Sequence, residues 1–137
     1  MFLAYQIYNN DWHDRNSDHH VNLIFIGGHF NRAKDGFIGA LTIEQIHNYR
    51  FDLAFIGTVG MNIHDDKVTT YDVEDGLTKK EVMDASKKCY LVAENEKFEL
   101  DGNYVFGSLS EFTGYIGSQE VTGRYKEKME EYGLEII

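Results

Sequence analysis

The sequence lacks several features that would place it in a membrane or in an oxidising compartment. Its single cysteine, Cys89, cannot form a disulfide within the chain, and its position at the start of a predicted strand favours a buried structural thiol over a nucleophile. No apolar run approaches the length of a membrane span. The apolar first eight residues have neither a basic flank nor a small-residue cleavage site, so we predict no signal peptide and expect a cytoplasmic protein. Proline is also absent, and nothing in the sequence explains this.

Positive charge is scarce as well. The chain has 13 lysine and arginine residues against 23 aspartate and glutamate residues, a formal charge of -10. Such a domain is repelled by phosphate backbones unless its bases cluster, and here they do not, which disfavours direct binding of nucleic acid. With 137 residues, of which 42% are hydrophobic and 26% charged, the chain is long enough to bury a core, and we expect residues 1–137 to form a single domain.

The most informative feature present is a set of apolar runs that each stop at a small or polar pair. The four runs are residues 21–26 before Gly27-Gly28, residues 51–56 before Gly57-Thr58, residues 89–93 before Glu94-Asn95, and residues 112–116 before Gly117-Ser118. Nearly unbroken apolar strands are typical of a sheet that is covered on both faces. In such sheets ligands bind beyond the carboxyl ends of the strands, so these turns are the first place to look for function.

Strands and helices alternate along the chain. We predict helices over residues 2–9, 40–49, 77–88 and 121–132. We predict strands over residues 21–27, 51–57, 89–93, 104–106, 113–117 and 134–137, a short extended segment at 68–71, and loops at 10–20 and 58–66. This order is typical of an α/β fold with a mainly parallel, twisted sheet and helices on both faces.

Two segments at the predicted strand ends are candidate ligand contacts. The Gly57-Thr58-Val59-Gly60 segment could present backbone N–H groups and a hydroxyl to a phosphate or sugar oxygen. The alternative is a tight turn that needs glycine for its backbone angles. Lys97 could neutralise a phosphate as a point charge, or it could be a solvated loop lysine paired with the neighbouring glutamates.

Five further residues are less specific candidates for ligand contact. Lys80, in the first turn of a predicted helix, points either at the pocket or at water. Glu74 and Asp72 could accept hydrogen bonds from sugar hydroxyls, although an acidic helix start is the simpler explanation. Gly27 and Gly28 allow close backbone approach, either for strand packing or for a ligand.

Histidine and aspartate are concentrated in the predicted loop at 10–20 without the regular spacing of a metal site. These residues are Asp11, His13, Asp14, Asp18, His19 and His20. Irregular spacing favours a solvated loop. His29 and His64 follow strands, where lone histidines more often pack or form hydrogen bonds than bind metal. We therefore predict neither a metal nor a cofactor.

Taken in order, these blocks resemble the effector-sensing domain of DeoR-family bacterial transcriptional repressors. The resemblance runs from Met1 to the closing strand. Its most specific parts are the block from Asp52 to Gly60 and the Lys97-Phe98 pair, spaced as they are from the Gly27-Gly28 strand end. The resemblance implies a fold shared with ribose-5-phosphate isomerase and sugar-phosphate deaminases. It also implies a phosphorylated sugar as the ligand and a homo-oligomer that represses sugar-utilisation genes.

On this resemblance the predicted ligand contacts are the following residues: Gly27, Gly28, Gly57, Thr58, Gly60, Glu74, Lys80 and Lys97. The chain departs from the family pattern at Glu94 and Glu96, which stand where the family usually has aspartate and serine before the lysine. Members of the family also carry a winged helix-turn-helix, a first strand and a phosphate loop ahead of this region, so we expect the domain to be incomplete at its N-terminus and to reach DNA only through a part outside this chain.

Three functional hypotheses follow from these observations. The first is a sensor domain that binds a phosphorylated sugar and shifts a regulator between two states. The second is a sugar-phosphate isomerase, which needs a carboxylate base in the pocket, whereas no acid follows the second strand until Asp65, so we predict no enzyme activity. The third is a truncated relative that acts only in oligomerisation through an exposed sheet edge.

Overall fold

The computed structural model describes residues 23–137. Within them the helices are α1 (Ala40–Ile46), α2 (Val73–Asp84) and α3 (Gly123–Glu131), with 3-10 helices at Asn95–Glu99 and Leu109–Glu111. The strands are β1 (His29–Asn31), β2 (Gly36–Ile38), β3 (Ala54–Gly57), β4 (Gly60–Asn62), β5 (Lys67–Thr70), β6 (Cys89–Ala93), β7 (Tyr104–Gly107), β8 (Gly114–Gly117) and β9 (Glu135–Ile136). The predicted helix at 2–9 and loop at 10–20 lie outside the described residues.

The main sheet is parallel, which confirms the predicted α/β class. Its strand order is β3-β6-β8-β9, and every pair in it is parallel. Gly57 lies opposite Val92 and Ala93 lies opposite Gly117, so β3, β6 and β8 end at one edge. The predicted strands at 51–57, 89–93, 113–117 and 134–137 correspond to these four elements.

The core lies on one face of this sheet. Ile56, Leu91 and Tyr115 are laterally aligned and buried there, and they pack with Met83 of α2 and Met129 of α3. The alternate residues face the other way. Among the described residues this second face remains largely open, with Phe55 61% and Val92 40% exposed. No helix among residues 23–137 has both the length and the apolar character needed to cross a bilayer.

The predicted loop at 58–66 is wrong in part, because β4 falls within it and pairs antiparallel with β5. β5 also pairs with β7, which gives a second sheet of order β4-β5-β7. The hairpin turn is stabilised by Asn62, whose Oδ1 accepts hydrogen bonds from the backbone N–H groups of His64 and Asp65. Asp66 completes the turn with a positive φ of 54°. Strands of three or four residues carry too little periodicity to be read from sequence.

The predicted strand at 21–27 is also wrong where the structure describes it, since residues 23–27 have no regular structure. The backbone of Gly27 is bound instead by α1: its N–H donates to Gln45 Oε1, and its carbonyl accepts from Gln45 Nε2 and Thr42 Oγ1. Ile24 is 61% exposed. An apolar run forms a strand only where a neighbouring strand offers backbone hydrogen-bond partners. Here the side chains of Thr42 and Gln45 form hydrogen bonds with the Gly27 backbone instead. Residues 29–38 form a hairpin of β1 and β2 instead.

All three described helices were predicted, with shifted ends. The helix predicted at 77–88 begins at Val73, because Asp72 is an N-cap whose carboxylate accepts hydrogen bonds from the N–H groups of Glu74 and Asp75. The helix predicted at 40–49 ends at Ile46. The helix predicted at 121–132 spans Gly123–Glu131.

Candidate functional site

The candidate site lies where β3, β6 and β8 end. Three segments leave the sheet at this edge: the turn that begins with Thr58, the 3-10 helix Asn95–Glu99, and residues 118–120. The 3-10 helix packs against β4, which starts two residues after Thr58. The structure therefore brings the elements that carry Thr58 and Lys97 together, as expected for segments that follow neighbouring parallel strands.

Thr58 connects the end of β3 in the main sheet to the second sheet through hydrogen bonds. Its hydroxyl oxygen lies 2.9 Å from the carbonyl oxygens of Gly60 and Thr69, so its hydrogen is shared between these two acceptors. Only the lone pairs of the hydroxyl are left for a ligand. Gly57 is exposed, and a Cβ there would meet no atom within 4 Å. Gly60 is the opposite case, because a Cβ at this position would lie 2.2 Å from the carbonyl oxygen of Leu100.

Lys97 occupies the middle of the 3-10 helix. Its backbone N–H donates to the carbonyl of Glu94, and its side chain is half-buried. In the part of the chain that the structure describes, Lys97 forms no ion pair, whereas Lys79, Lys80, Lys87 and Lys128 each do. A half-buried cation without a partner carries charge that an anion could compensate.

Gly27 and Gly28 lie against α1, and Glu74 lies near the residue that precedes α1. A Cβ at Gly39, the residue before α1, would be 3.6 Å from a carboxylate oxygen of Glu74. Gly28 packs against α1 so closely that a Cβ would be 2.0 Å from Thr42 Oγ1, and its φ is +147°. Helix packing therefore accounts for Gly28 without a ligand, whereas a Cβ at Gly27 would meet no atom within 4 Å.

Lys80 lies at the other end of the sheet. Its Nζ is 2.7 Å from Glu111 Oε1 and 3.4 Å from Asp84 Oδ1, and Glu111 comes just before β8 begins. The hydrogen bond to Glu111 raises the pKa of Lys80. Because parallel strands start at the edge opposite to the one where they end, the structure does not bring Lys80 to Thr58 and Lys97.

The Lys80–Glu111 contact leads to a pH-dependent prediction. The hydrogen bond from Lys80 lowers the pKa of the Glu111 carboxyl from its ordinary value of 4.5; burial opposes this shift and the Ser108 N–H adds to it. A lowered folded pKa contributes stability that is complete above 4.5 and is lost as the pH falls through the folded value. We expect Glu111→Gln to lower the free energy of unfolding at pH 7 by about 1 kcal/mol, the size of one hydrogen bond.

Urea unfolding of wild type and Glu111→Gln across the acid range measures this effect. The two curves should converge once the pH falls below the lowered folded pKa of Glu111, where the wild-type carboxyl is protonated. Glu127→Gln, at an exposed position of α3 where the described residues give it no ion pair, is the matched control and should follow wild type throughout. A difference that persists unchanged into acid would contradict this assignment.

The sequence analysis missed two residues that organise the strand-end edge. Asn95 Nδ2 donates to the carbonyls of Gln119 and Glu120 at 3.1 and 3.4 Å, and the Asn95 N–H donates to Ser118 Oγ at 3.4 Å. The Tyr115 hydroxyl lies 3.0 Å from both Asn95 Oδ1 and the Ala93 carbonyl oxygen. Burial, with a smaller contribution from Glu96, raises the pKa of Tyr115 to about 12. An asparagine two residues after the end of an apolar strand was the signal available in the sequence.

A cleft lies beside the 3-10 helix but does not include the predicted contacts. It measures about 250 Å³, and its lining includes Asn62, Phe98, Leu100 and Arg124; Thr58 and Lys97 do not line it. Among residues 23–137 no three histidine, cysteine or acidic side chains converge in a way that would hold a metal ion. The histidines and aspartates at 11–20 lie outside the described residues.

Comparison with known proteins decides the family. The family model described as the DeoR C terminal sensor domain matches residues 12–119. The chain belongs to this family. The matched range contains both strand-end segments, the 3-10 helix with Lys97, and the start of α2 with Glu74. The resemblance read from the sequence is confirmed, and the parallel four-stranded sheet agrees with it.

Curated relatives of this DeoR-family domain are named as transcriptional repressors. The chain is 23% identical over 117 residues to the HTH-type transcriptional repressor GlcR of Bacillus subtilis, covering 85% of this chain and 45% of that protein. It is 20% identical over 117 residues to the putative aga operon transcriptional repressor of Escherichia coli O157:H7, covering 85% and 43%. It is 27% identical over 88 residues to the glycerol-3-phosphate regulon repressor of Escherichia coli K12, covering 64% and 34%. The chain thus spans less than half the length of these relatives.

Proposed function

We propose that residues 1–137 form the effector-binding domain of a cytoplasmic DeoR-type regulator of sugar metabolism, and that its effector is a phosphorylated sugar bound at the carboxyl ends of β3 and β6. The regulator is a homo-oligomer that contacts DNA through a part outside this chain, and the domain binds its effector without chemical conversion. The observation that carries this proposal is the position of Lys97, half-buried and without an ion pair among the described residues, on a helix that packs against the strand after Thr58.

Electrostatics explains why one lysine would matter in so acidic a chain. With a formal charge of -10 the chain repels anions at long range, so an anionic effector needs a local cation. Lys97 supplies that charge at short range, where it is screened least. Glu94 and Glu96 are both exposed and oppose it, which favours an effector whose sugar hydroxyls add hydrogen bonds, for example to the lone pairs of Thr58.

Effector binding would act by shifting a conformational equilibrium. A phosphorylated sugar that contacts both the Thr58 turn and the 3-10 helix would favour the arrangement in which these two segments lie close together. If the oligomer that binds DNA prefers a different arrangement, effector and DNA each weaken the binding of the other by the same coupling free energy. The name of the glycerol-3-phosphate regulon repressor, which refers to a small phosphorylated metabolite, fits an effector of this chemistry.

A thermal-shift panel on the 137-residue chain tests the proposal. Hexose and pentose phosphates and glycerol 3-phosphate are compared with the same sugars without phosphate and with inorganic phosphate. At 100 times its dissociation constant a ligand adds about 2.7 kcal/mol to the free energy of unfolding, which raises the melting temperature by roughly 8 °C for a domain of this size. We expect at least one phosphorylated compound to do so while its unphosphorylated form does not. No shift from any compound at millimolar concentration would overturn the proposal.

A further inference from the structure

Asn95 is the most fully hydrogen-bonded side chain at the strand-end edge. Its amide nitrogen donates to two backbone carbonyls of the segment that follows β8, and its amide oxygen accepts from the Tyr115 hydroxyl. The two carbonyl partners fix which amide atom is nitrogen and which is oxygen. One side chain therefore joins the end of β6 to the residues after β8.

Tyr115 anchors this side chain to the core. It is fully buried in the centre of β8, and its ring lies 5.4 Å from the ring of Phe98. Its hydroxyl is placed between Asn95 Oδ1 and the carbonyl of Ala93, the last residue of β6. Gly117 leaves the space for this contact, since a Cβ there would be 2.7 Å from both Asn95 Oδ1 and the Tyr115 ring. The hydroxyl and the amide oxygen are thus held by their hydrogen bonds and by the close approach of Gly117.

Lys97 lies on the same short helix as Asn95. Asn95 is the first residue of the 3-10 helix, and Lys97 follows within the same single turn. The far end of the helix is held by Phe98, whose ring stacks on Tyr125 at 4.7 Å. The polar contact at Asn95 and the apolar contact at Phe98 fix the backbone on both sides of Lys97. Only the flexible lysine side chain is then left to be ordered by a ligand.

We propose that Asn95 and Tyr115 are positioning residues that hold the backbone of Lys97 at the strand-end edge of the sheet. Neither residue needs to touch the effector. They lower the entropy cost of binding by fixing the segment that carries the cation. This inference rests on the proposed function for its consequence in binding, while the positioning itself can be measured without a ligand.

The ligand-free measurement is amide hydrogen exchange of the full chain. Asn95→Ala and Tyr115→Phe are compared with wild type, and Asn103→Ala is the matched control because Asn103 is exposed in the turn before β7. We expect the amides of residues 96–98 to exchange at least tenfold faster in both test variants, with α2 and the control unchanged. Unchanged exchange at 96–98 in Asn95→Ala would overturn the inference whether or not a sugar phosphate binds.

The second measurement is a double-mutant cycle in binding of the phosphorylated compound that gives the largest thermal shift. Asn95→Ala should weaken binding about tenfold in the wild-type background and have little effect in the Lys97→Met background, since it acts through Lys97. An equal loss in both backgrounds would show that Asn95 acts on the ligand independently and would overturn its positioning role. If wild type binds no compound, the proposed function fails, and hydrogen exchange alone decides the positioning inference.

Discussion

Gly60→Ala is expected to lower the free energy of unfolding by about 3 kcal/mol, at the upper end of the cost of overpacking. The added Cβ would lie 2.2 Å from the Leu100 carbonyl oxygen and 2.9 Å from the Asp101 backbone nitrogen. Both contacts are with backbone, so no side-chain rotation relieves them. β4 must move away from residues 100–101, and this strains the hydrogen bonds that Thr58 and Thr69 donate to the Gly60 carbonyl.

Thermal and urea unfolding of the variant measure this loss, which corresponds to a fall in melting temperature of roughly 10 °C. Gly57→Ala is the matched control, because Gly57 has an ordinary φ and an added Cβ meets nothing within 4 Å. We expect this control to stay within about 0.5 kcal/mol of wild type. If the two variants were equally stable, the close packing of β4 against residues 100–101 would be contradicted.

Lys97→Met is expected to weaken binding of the phosphorylated sugar by roughly 10- to 100-fold, because a hydrogen bond to a charged group contributes about 1.5–3 kcal/mol. The stability of the free chain should change little, since Lys97 forms no ion pair among the described residues. Binding of the same sugar without its phosphate should be equally weak in wild type and variant. Calorimetric titration with both compounds measures these differences.

Lys80→Met provides the matched control for Lys97→Met. It removes the same charge from the same residue type, but at the end of the sheet where Lys80 contacts Glu111 and Asp84. We expect a modest loss of stability and unchanged affinity for the sugar phosphate. Affinity that falls with Lys80→Met and not with Lys97→Met would place the phosphate at the opposite edge and contradict the proposed site.

The parallel sheet could be predicted from the sequence because its strands are continuous apolar runs. Residues 51–56 and 89–93 are mostly apolar, and these runs, like residues 112–116, each stop at a small or polar pair. The family could also be predicted, since the spacing between these strand ends and the Lys97-Phe98 pair is specific. The local sequence therefore predicts both the parallel sheet and the edge of the sheet at which its strand-end turns lie.

The second sheet and the pairing of charges could not be predicted in this way. β4 is three residues long, and its pairing depends on the turn made by Asn62 and Asp66. The backbone N–H of Gly27 donates a hydrogen bond to the side chain of Gln45, 18 positions away, and no local sequence pattern indicates such a contact. The sequence left Lys80 open between the pocket and water, in the first turn of a helix predicted to begin at residue 77, and the resemblance alone made it a ligand contact. The Asp72 cap moves that start to Val73 and places Lys80 farther along α2.

Chemical-shift mapping of the backbone amides during titration with a phosphorylated sugar tests most directly where this domain binds its effector. We expect the largest shifts at residues 57–60 and 95–98, with the amides around Lys80 and Glu111 unaffected. Shifts confined to the Lys80 end of the sheet, or no shifts at all from any phosphorylated sugar, would contradict a site built from the Thr58 turn and Lys97.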